Sequence, residues 1–454
     1  IVGEKPELPE GFPEDGYRGG YIAEIALALT REATEIHLGL DAPSWEDTAW
    51  WAAREPKRQA GRQDDREISD YAWKLMIARI ADDLALLGIS FDGWHSERTL
   101  HGLDPADGAT EAADAVSACV GRLKQADWCF DGEADDAGRT PVVFKGTNET
   151  IPKTFRDTKD RVVIRSDGRP TYFAADIAYH DNKLQRGYDH LINVLGADHH
   201  GYVSRLKGVI HALGDLRNSE GDPKAGRWSG DRLEVQLMQM VALLRDGKPI
   251  SMGKRSGDFV TLADVVREVS TSGPESGRDA VRFIFLTRKG DAQLDFDLEV
   301  ARRTSMDNPV YYVQYGHARL ASILRKAKTS GIDWQVGGVS LTPLTHDLER
   351  QLALTIAEWP EVVLRAARSR EPHKIAFFLL DACKQFHSYF TQGKTAGLRV
   401  ITDDVTTTRA RLTLIAALQR VIGNALAMLG VSAPDVMEQI SDDATSSDNT
   451  AEEA

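Results

Sequence analysis

The stretch Leu191-Ile192-Asn193-Val194-Leu195-Gly196-Ala197-Asp198-His199-His200-Gly201-Tyr202 starts as a short apolar run, stops at a glycine and passes into a helical pattern over His199 to Leu213. A strand that turns straight into a helix is the repeating step of an α/β fold. Further β-like runs lie at Pro141 to Lys145, Arg161 to Arg165 and Leu233 to Leu243, with a helical pattern at Ala174 to Gln185 between them. This alternation predicts a parallel α/β sheet. Such sheets bind ligands at the carboxyl ends of their strands, and the free N–H groups of a helix N-terminus favour phosphate. Gly196 to Tyr202 is therefore a candidate binding segment, though its side chains could equally serve as caps with no ligand.

Working outward, Ser69 to Leu87 reads as a helix built on Trp73, Ile77, Ile80, Leu84 and Leu87. Before it come a helical pattern at Tyr17 to Leu40 and a Trp- and charge-rich linker from Asp41 to Arg66. Beyond about Met306 the strand signal disappears. Apolar residues then recur every three or four positions, as in Ile375, Leu379, Ala382, Phe386 and Phe390, and in Leu412, Ile415, Leu418, Ile422, Leu426 and Leu429. That is the pattern of a helical bundle. The expected organisation is an α/β domain over 1–305 with a helical insertion near 1–130, an all-helical domain over 306–438, and a disordered acidic tail over 439–454 that has no apolar face to repay ordering.

Composition narrows the function classes. With 454 residues, 42% of them hydrophobic, the chain can bury two or three cores. No run approaches the roughly 20 apolar residues that span a bilayer, and the opening Ile1 to Gly20 lacks the basic-then-apolar order of a signal peptide, so a cytoplasmic protein without a membrane partner is expected. Cys119, Cys129 and Cys383 have neither the number for a disulfide framework nor a metal-ligand spacing. A net charge of -14 excludes coating of nucleic acid by bulk charge. A local basic face remains open, because 306–437 carries 15 Lys and Arg against 11 Asp and Glu.

Three more segments could carry chemistry. Met252-Gly253-Lys254-Arg255-Ser256-Gly257 follows an Asp246-Gly247 turn and precedes Thr261, a candidate helix cap. Such a cationic, Gly-punctuated loop suits a polyphosphate, or is simply a solvated hairpin; it lacks the spacing of a Walker A loop. Tyr172 to His180 crosses from strand to helix, and helical spacing puts Asp176, Tyr179 and His180 on one side, toward one pocket. An Asp there could also merely satisfy the helix dipole. In Asn308 to Leu320, Pro309 can start a helix whose Val313, Leu320 and Leu324 face a core. Tyr312 and Tyr315 lie three apart beside Arg319 and Arg325, a set that could stack on unpaired bases or pack as an aromatic stripe.

In this order the segments resemble bacterial arginine–tRNA ligases, which are class I aminoacyl-tRNA synthetases. The resemblance rests on Tyr172 to His180, Gly196 to Tyr202, Met252 to Val260, Asp279 to Asp297, Asn308 to Arg325 and the closing Leu429-Gly430-Val431-Ser432-Ala433-Pro434, and runs from about Ser69 to Met437. It implies a Rossmann-like catalytic domain followed by an all-α anticodon-binding bundle. It also implies ATP with Mg2+ as co-substrate, no tightly bound cofactor, L-arginine and tRNA(Arg) as partners, and a monomer. Carried over by position, Tyr172, Asp176 and His200 hold arginine, Asp176 facing the guanidinium. Gly196, Asp198 and His199 resemble the adenosine-side wall. Met252, Lys254, Arg255 and Ser256 match the second class I motif, with Gly253 where that motif has Ser, and Lys254, Arg255 and His199 are the catalytic candidates. Tyr312, Tyr315 and Arg319 fall where relatives touch tRNA.

The first class I motif, His-Ile-Gly-His or a variant, has no match, since His37-Leu38-Gly39-Leu40 lacks the second histidine. In the family that motif and an N-terminal domain come earlier, so the sequence is expected to be an N-terminally truncated ligase with near-background activity by itself. Two alternatives stand beside it. One is a non-catalytic tRNA-binding fragment; the other is a metallohydrolase using Asp198, His199 and His200, with Asp176 as a possible added ligand.

Overall fold

The computed structural model describes residues 63–103, 113–223, 226, 228–250, 260–334 and 338–437. The expected helix at Tyr17 to Leu40, the loop at Met252 to Gly257 and the acidic tail lie outside these residues. Two compact units emerge. Of the described residues, one holds those up to Ser90, those within Val241–Lys289 and those from Leu294 on; the other holds those within Phe91–Met240 and Gly290–Gln293.

Helix α1 (Gln63–Leu86) begins before the expected end of the linker at Arg66 and belongs to the first unit. Leu87 closes it into the core, but Ile80, expected on the same buried stripe, is 43% exposed.

The second unit starts with the short α2 (Glu97–Leu100) and α3 (Ala115–Gln125), whose N-terminus Asp114 caps by accepting from the Ser117 amide. Strands β1 (Cys129–Asp131), β2 (Val142–Phe144) and β3 (Arg161–Ile164) form an antiparallel sheet. Helix α4 (Tyr172–Gln185) leads to β4 (Leu191–Gly196), a 3-10 turn at Ala197–Tyr202 and α5 (Val203–Ser219). Strand β5 (Leu233–Met238) returns parallel to β4, with Leu191 opposite Leu233. Phe144, Phe173, Ile177, Leu213 and Leu233 bury the apolar side of these elements. Inside, Asp181 of α4 accepts from Arg217 of α5 at 2.8 Å and from Arg122 of α3 at 2.9 Å, so one carboxylate ties three helices.

The expected single strand from Leu233 to Leu243 is in fact two strands in different sheets. β5 ends at Met238, the Gln239 amide donates to the Gly290 carbonyl, and β6 (Val241–Arg245) pairs elsewhere. In the first unit β6 runs antiparallel to β7 (Lys248–Pro249) through the Asp246-Gly247 turn, both residues at positive φ, and parallel to β8 (Leu294–Asp297). Among the described residues the one parallel sheet expected from the alternation is therefore three small sheets, because strand partners are chosen by contacts far apart in sequence.

The helices of the first unit follow their caps. Thr261 and Asp264 form a capping box on α6 (Leu262–Val269), and Gly273-Pro274 opens α7 (Pro274–Phe285). Asp297 caps α8 (Leu298–Arg302) and Asn308 caps α9 (Pro309–Thr329). Then come α10 (Asp347–Ser369), α11 (His373–Thr395) and α12 (Val405–Met428). Val313, Leu320, Leu379, Phe386, Leu412, Ile415, Leu418, Ile422 and Leu426 are all buried in one core, as their spacing predicts. At the far end of α12, Gly430 takes φ 66° against the Arg282 side chain, where a Cβ would collide. Arg282 donates from Nε to the Leu429 carbonyl at 2.9 Å, and Asp279 accepts from the Ser432 amide at 3.0 Å. No helix among the described residues is long and apolar enough to cross a membrane.

Candidate active site

The Thr171 hydroxyl accepts from the Ala174 amide and starts α4, placing Tyr172 at its first position and Asp176 about one turn in. Ala175, Asp176 and Tyr179 then share a pocket of about 250 Å³ with Tyr172, His95, Glu97 and Leu100. That is smaller than a site for a drug-sized ligand and suits a single side chain. Its rim is open, since Tyr172 is 83% exposed. His95 stacks on Tyr179, with centroids 4.6 Å apart and planes 17° apart. The Lys183 ammonium sits 4.5 Å over the same ring and donates to Asn193 at 2.8 Å.

Two carboxylates, Asp176 and Glu97, thus line one small pocket. Burial pushes the Asp176 carboxyl above its ordinary range; the Tyr202 hydrogen bond opposes this, the Glu97 charge adds to it, and Lys183 and His199 pull down. The Tyr202 hydroxyl donates to Asp176 Oδ2 at 2.5 Å. A permanently cationic, planar group is the natural complement of such a site, because it relieves the crowded negative charge and can donate to two carboxylates.

His180 is not in this pocket, although helical spacing put it on the side of Asp176 and Tyr179. It is buried, its Nδ1 donating to the Asp176 carbonyl at 2.7 Å and its Nε2 accepting from Asn193 at 2.9 Å. Both nitrogens are satisfied by neutral partners and burial pushes the imidazole down to about 4, so it is a neutral anchor of the α4 backbone.

At the end of β4, Gly196 lies so close to Asp198 that a Cβ there would meet Oδ1 at 2.5 Å. Asp198, His199 and His200 are exposed, and His200 does not line the pocket. The His199 imidazole stands 3.9 Å from Asp198 and edge-on to Tyr202. No group of three His, Cys, Asp or Glu among the described residues could hold a metal ion, which removes the geometric basis of the metallohydrolase alternative. Met252, Lys254, Arg255 and Ser256 lie outside the described residues.

In the first unit, Tyr315 stacks on Tyr311 with planes 10° apart and on His387 with planes 18° apart, while Tyr312 tilts against His387. The Arg319 guanidinium lies 3.8 Å over Phe390 and 5.9 Å from Tyr315. Tyr311, Tyr312, Tyr315 and His387 are half-buried, so their rings both pack and show a surface.

Sequence reasoning missed Glu97, His95, Tyr311 and His387. The first two sit in a short segment without periodicity, and nothing in their spacing points at α4. Tyr311 and Tyr315 are an i, i+4 pair and could have been found; His387 lies one position off the apolar stripe of its own helix.

An α/β part with strand-to-helix binding segments, followed by helices that match the DALR anticodon binding domain over residues 313–437, defines a class I aminoacyl-tRNA synthetase fold. Among curated relatives, an arginine--tRNA ligase from Desulfosudis oleivorans is 42% identical over 94% of this chain and 65% of its own length. One from Thioalkalivibrio sulfidiphilus is 39% identical over 95% of this chain and 68% of its own. A solved Campylobacter jejuni structure assigned as an arginyl-tRNA synthetase superposes with a TM-score of 0.68 at 29% identity, covering 95% of this chain and 78% of that one. The chain belongs to the arginine–tRNA ligase family. It spans about two thirds of the length of the curated relatives it matches.

Proposed function

We propose that the protein serves ATP-dependent activation of L-arginine and its transfer to tRNA(Arg). The arginine carboxylate attacks the α-phosphorus of ATP, pyrophosphate leaves, and arginyl adenylate forms. The terminal ribose hydroxyl of the tRNA then attacks the arginyl carbonyl, and AMP departs. No side-chain nucleophile is needed, so catalysis rests on positioning and charge stabilisation.

In this reading Asp176 and Glu97 take the guanidinium, Tyr172 borders it, and His200 adds a contact to arginine. Gly196, Asp198 and His199 flank the adenosine. Met252, Lys254, Arg255 and Ser256 take the triphosphate with its Mg2+, and no further cofactor is bound. Tyr312, Tyr315 and Arg319 meet the tRNA. Residues 1–305 act as the catalytic domain and 306–438 as the anticodon-binding domain, in a cytoplasmic monomer.

The observation that carries the reading is the pair of carboxylates in one small aromatic-walled pocket. Titration calorimetry of L-arginine onto the chain, with L-citrulline in parallel, tests it. Arginine is expected to bind, and citrulline, which has lost the charge, to bind at least tenfold more weakly. Equal affinity for the two would remove the basis of the assignment.

A further inference from the structure

Asp176 would bind a cation poorly if its carboxylate were free to turn or to take up a proton, and the fold addresses both through one neighbour. Tyr202 is the last residue of the 3-10 turn after β4 and reaches across to Asp176 Oδ2 at 2.5 Å. Its ring is held in turn. Phe173 meets it edge to face at 6.0 Å, and the Arg205 guanidinium covers it at 4.6 Å. Arg205 is fixed by Asp157 at 2.9 Å, and Asp157 also accepts twice from Arg161 of β3 at 2.8 Å. Tyr202 is not among the residues lining the pocket, and its hydrogen bond to Asp176 connects it to one that is.

We propose that Tyr202 is a positioning residue for cation recognition: its hydroxyl pins Oδ2 of Asp176 and leaves Oδ1 for the pocket. This rests on the arginine pocket proposed above. The charged and titratable groups around Asp176 are Glu97 from α2, His95 before it, Tyr172, Tyr179 and Lys183 from α4, His199 from the 3-10 turn, and Arg205 behind Tyr202. Among the forces that hold the Asp176 carboxyl down against its burial, the Tyr202 hydrogen bond is the largest. The phenol itself is pushed up, first by burial and then by Asp176, so it remains a donor across the working pH range.

The test is calorimetric titration of L-arginine onto the whole chain and onto Tyr202→Phe between pH 5 and 8. The substitution removes only the hydroxyl and keeps the ring between Phe173 and Arg205; the thermal midpoint of the variant checks that the fold is kept. At neutral pH the variant is expected to bind arginine about tenfold more weakly, as for loss of a hydrogen bond to a charged group. Its affinity is also expected to start falling at a higher pH than that of the unaltered chain as the solution is acidified, because without the donor Asp176 protonates sooner. A role limited to packing would not move that profile. If arginine binds the unaltered chain, and Tyr202→Phe binds it with the same affinity and the same pH profile, the positioning role is overturned while the pocket stands. If the unaltered chain binds no arginine, the pocket reading fails and takes this proposal with it.

Discussion

The pocket of α4 and the aromatic face of α9, the two places where recognition is proposed, rest on opposite physical footings. The pocket concentrates two carboxylates in about 250 Å³, with Asp176 burdened by burial and by the Glu97 charge. The α9 face spreads its contacts over the rings of Tyr311, Tyr312, Tyr315 and His387, with Arg319 held over Phe390. A concentrated charge is discriminating and fragile, since losing one partner leaves another unpaired in a poor solvent. A stack is tolerant: every base has a π-face, and each ring carries only part of the energy.

Substitutions should expose that contrast. The largest expected effect is Asp176→Asn, which keeps shape and removes charge: arginine affinity measured by calorimetry should fall about 100-fold, the upper range for a charge-assisted hydrogen bond. Retained affinity would mean that the pocket does not read charge through this residue. Glu97→Gln should cost about tenfold, less because Glu97 is also engaged by His101 at 3.3 Å and because its removal relieves Asp176 of a like charge. On the other side, Tyr315→Ala should weaken tRNA(Arg) in a filter-binding assay by roughly tenfold, one base-stacking contact, and leave arginine binding untouched. Arg319→Gln should cost only a few-fold and flatten the salt dependence of tRNA binding by about one counterion. If Arg319→Gln proved worse than Tyr315→Ala, charge and not stacking would govern that face.

Local signals served the fold well. Thr171, Thr261, Asn308 and Asp404 cap helices where short polar side chains precede helical patterns, and the stripe from Leu412 to Leu426 is buried in the order its spacing implies. What could not be read was partnership at a distance. Leu233 to Leu243 looks like one strand, and only the pairing of β5 with β4 and of β6 with β8 divides it. The same limit governs the site. Asp176 and Tyr179 could be placed in one pocket because helical spacing puts them on one side of α4, whereas Glu97, the first residue of α2, and His95 just before it reach them from more than 70 residues upstream. His180 shows the opposite failure: helical spacing gave it the right side of α4, but a buried imidazole with two neutral partners is indistinguishable in sequence from one facing a ligand.

The clasp of Arg282 and Asp279 on Leu429 and Ser432 bears on how the molecule is made. Its hydrogen bonds join positions 147 and 153 apart along the chain, and Gly430 is shaped to let them close. Contacts of such long range are slow to form, because the intervening loop must first be brought round. As the polypeptide leaves the ribosome, Phe91 to Met240 can condense as a nearly continuous stretch. The polar clasp on α7 must instead wait for the end of α12 to emerge, although its apolar face can pack earlier on α6 and α9.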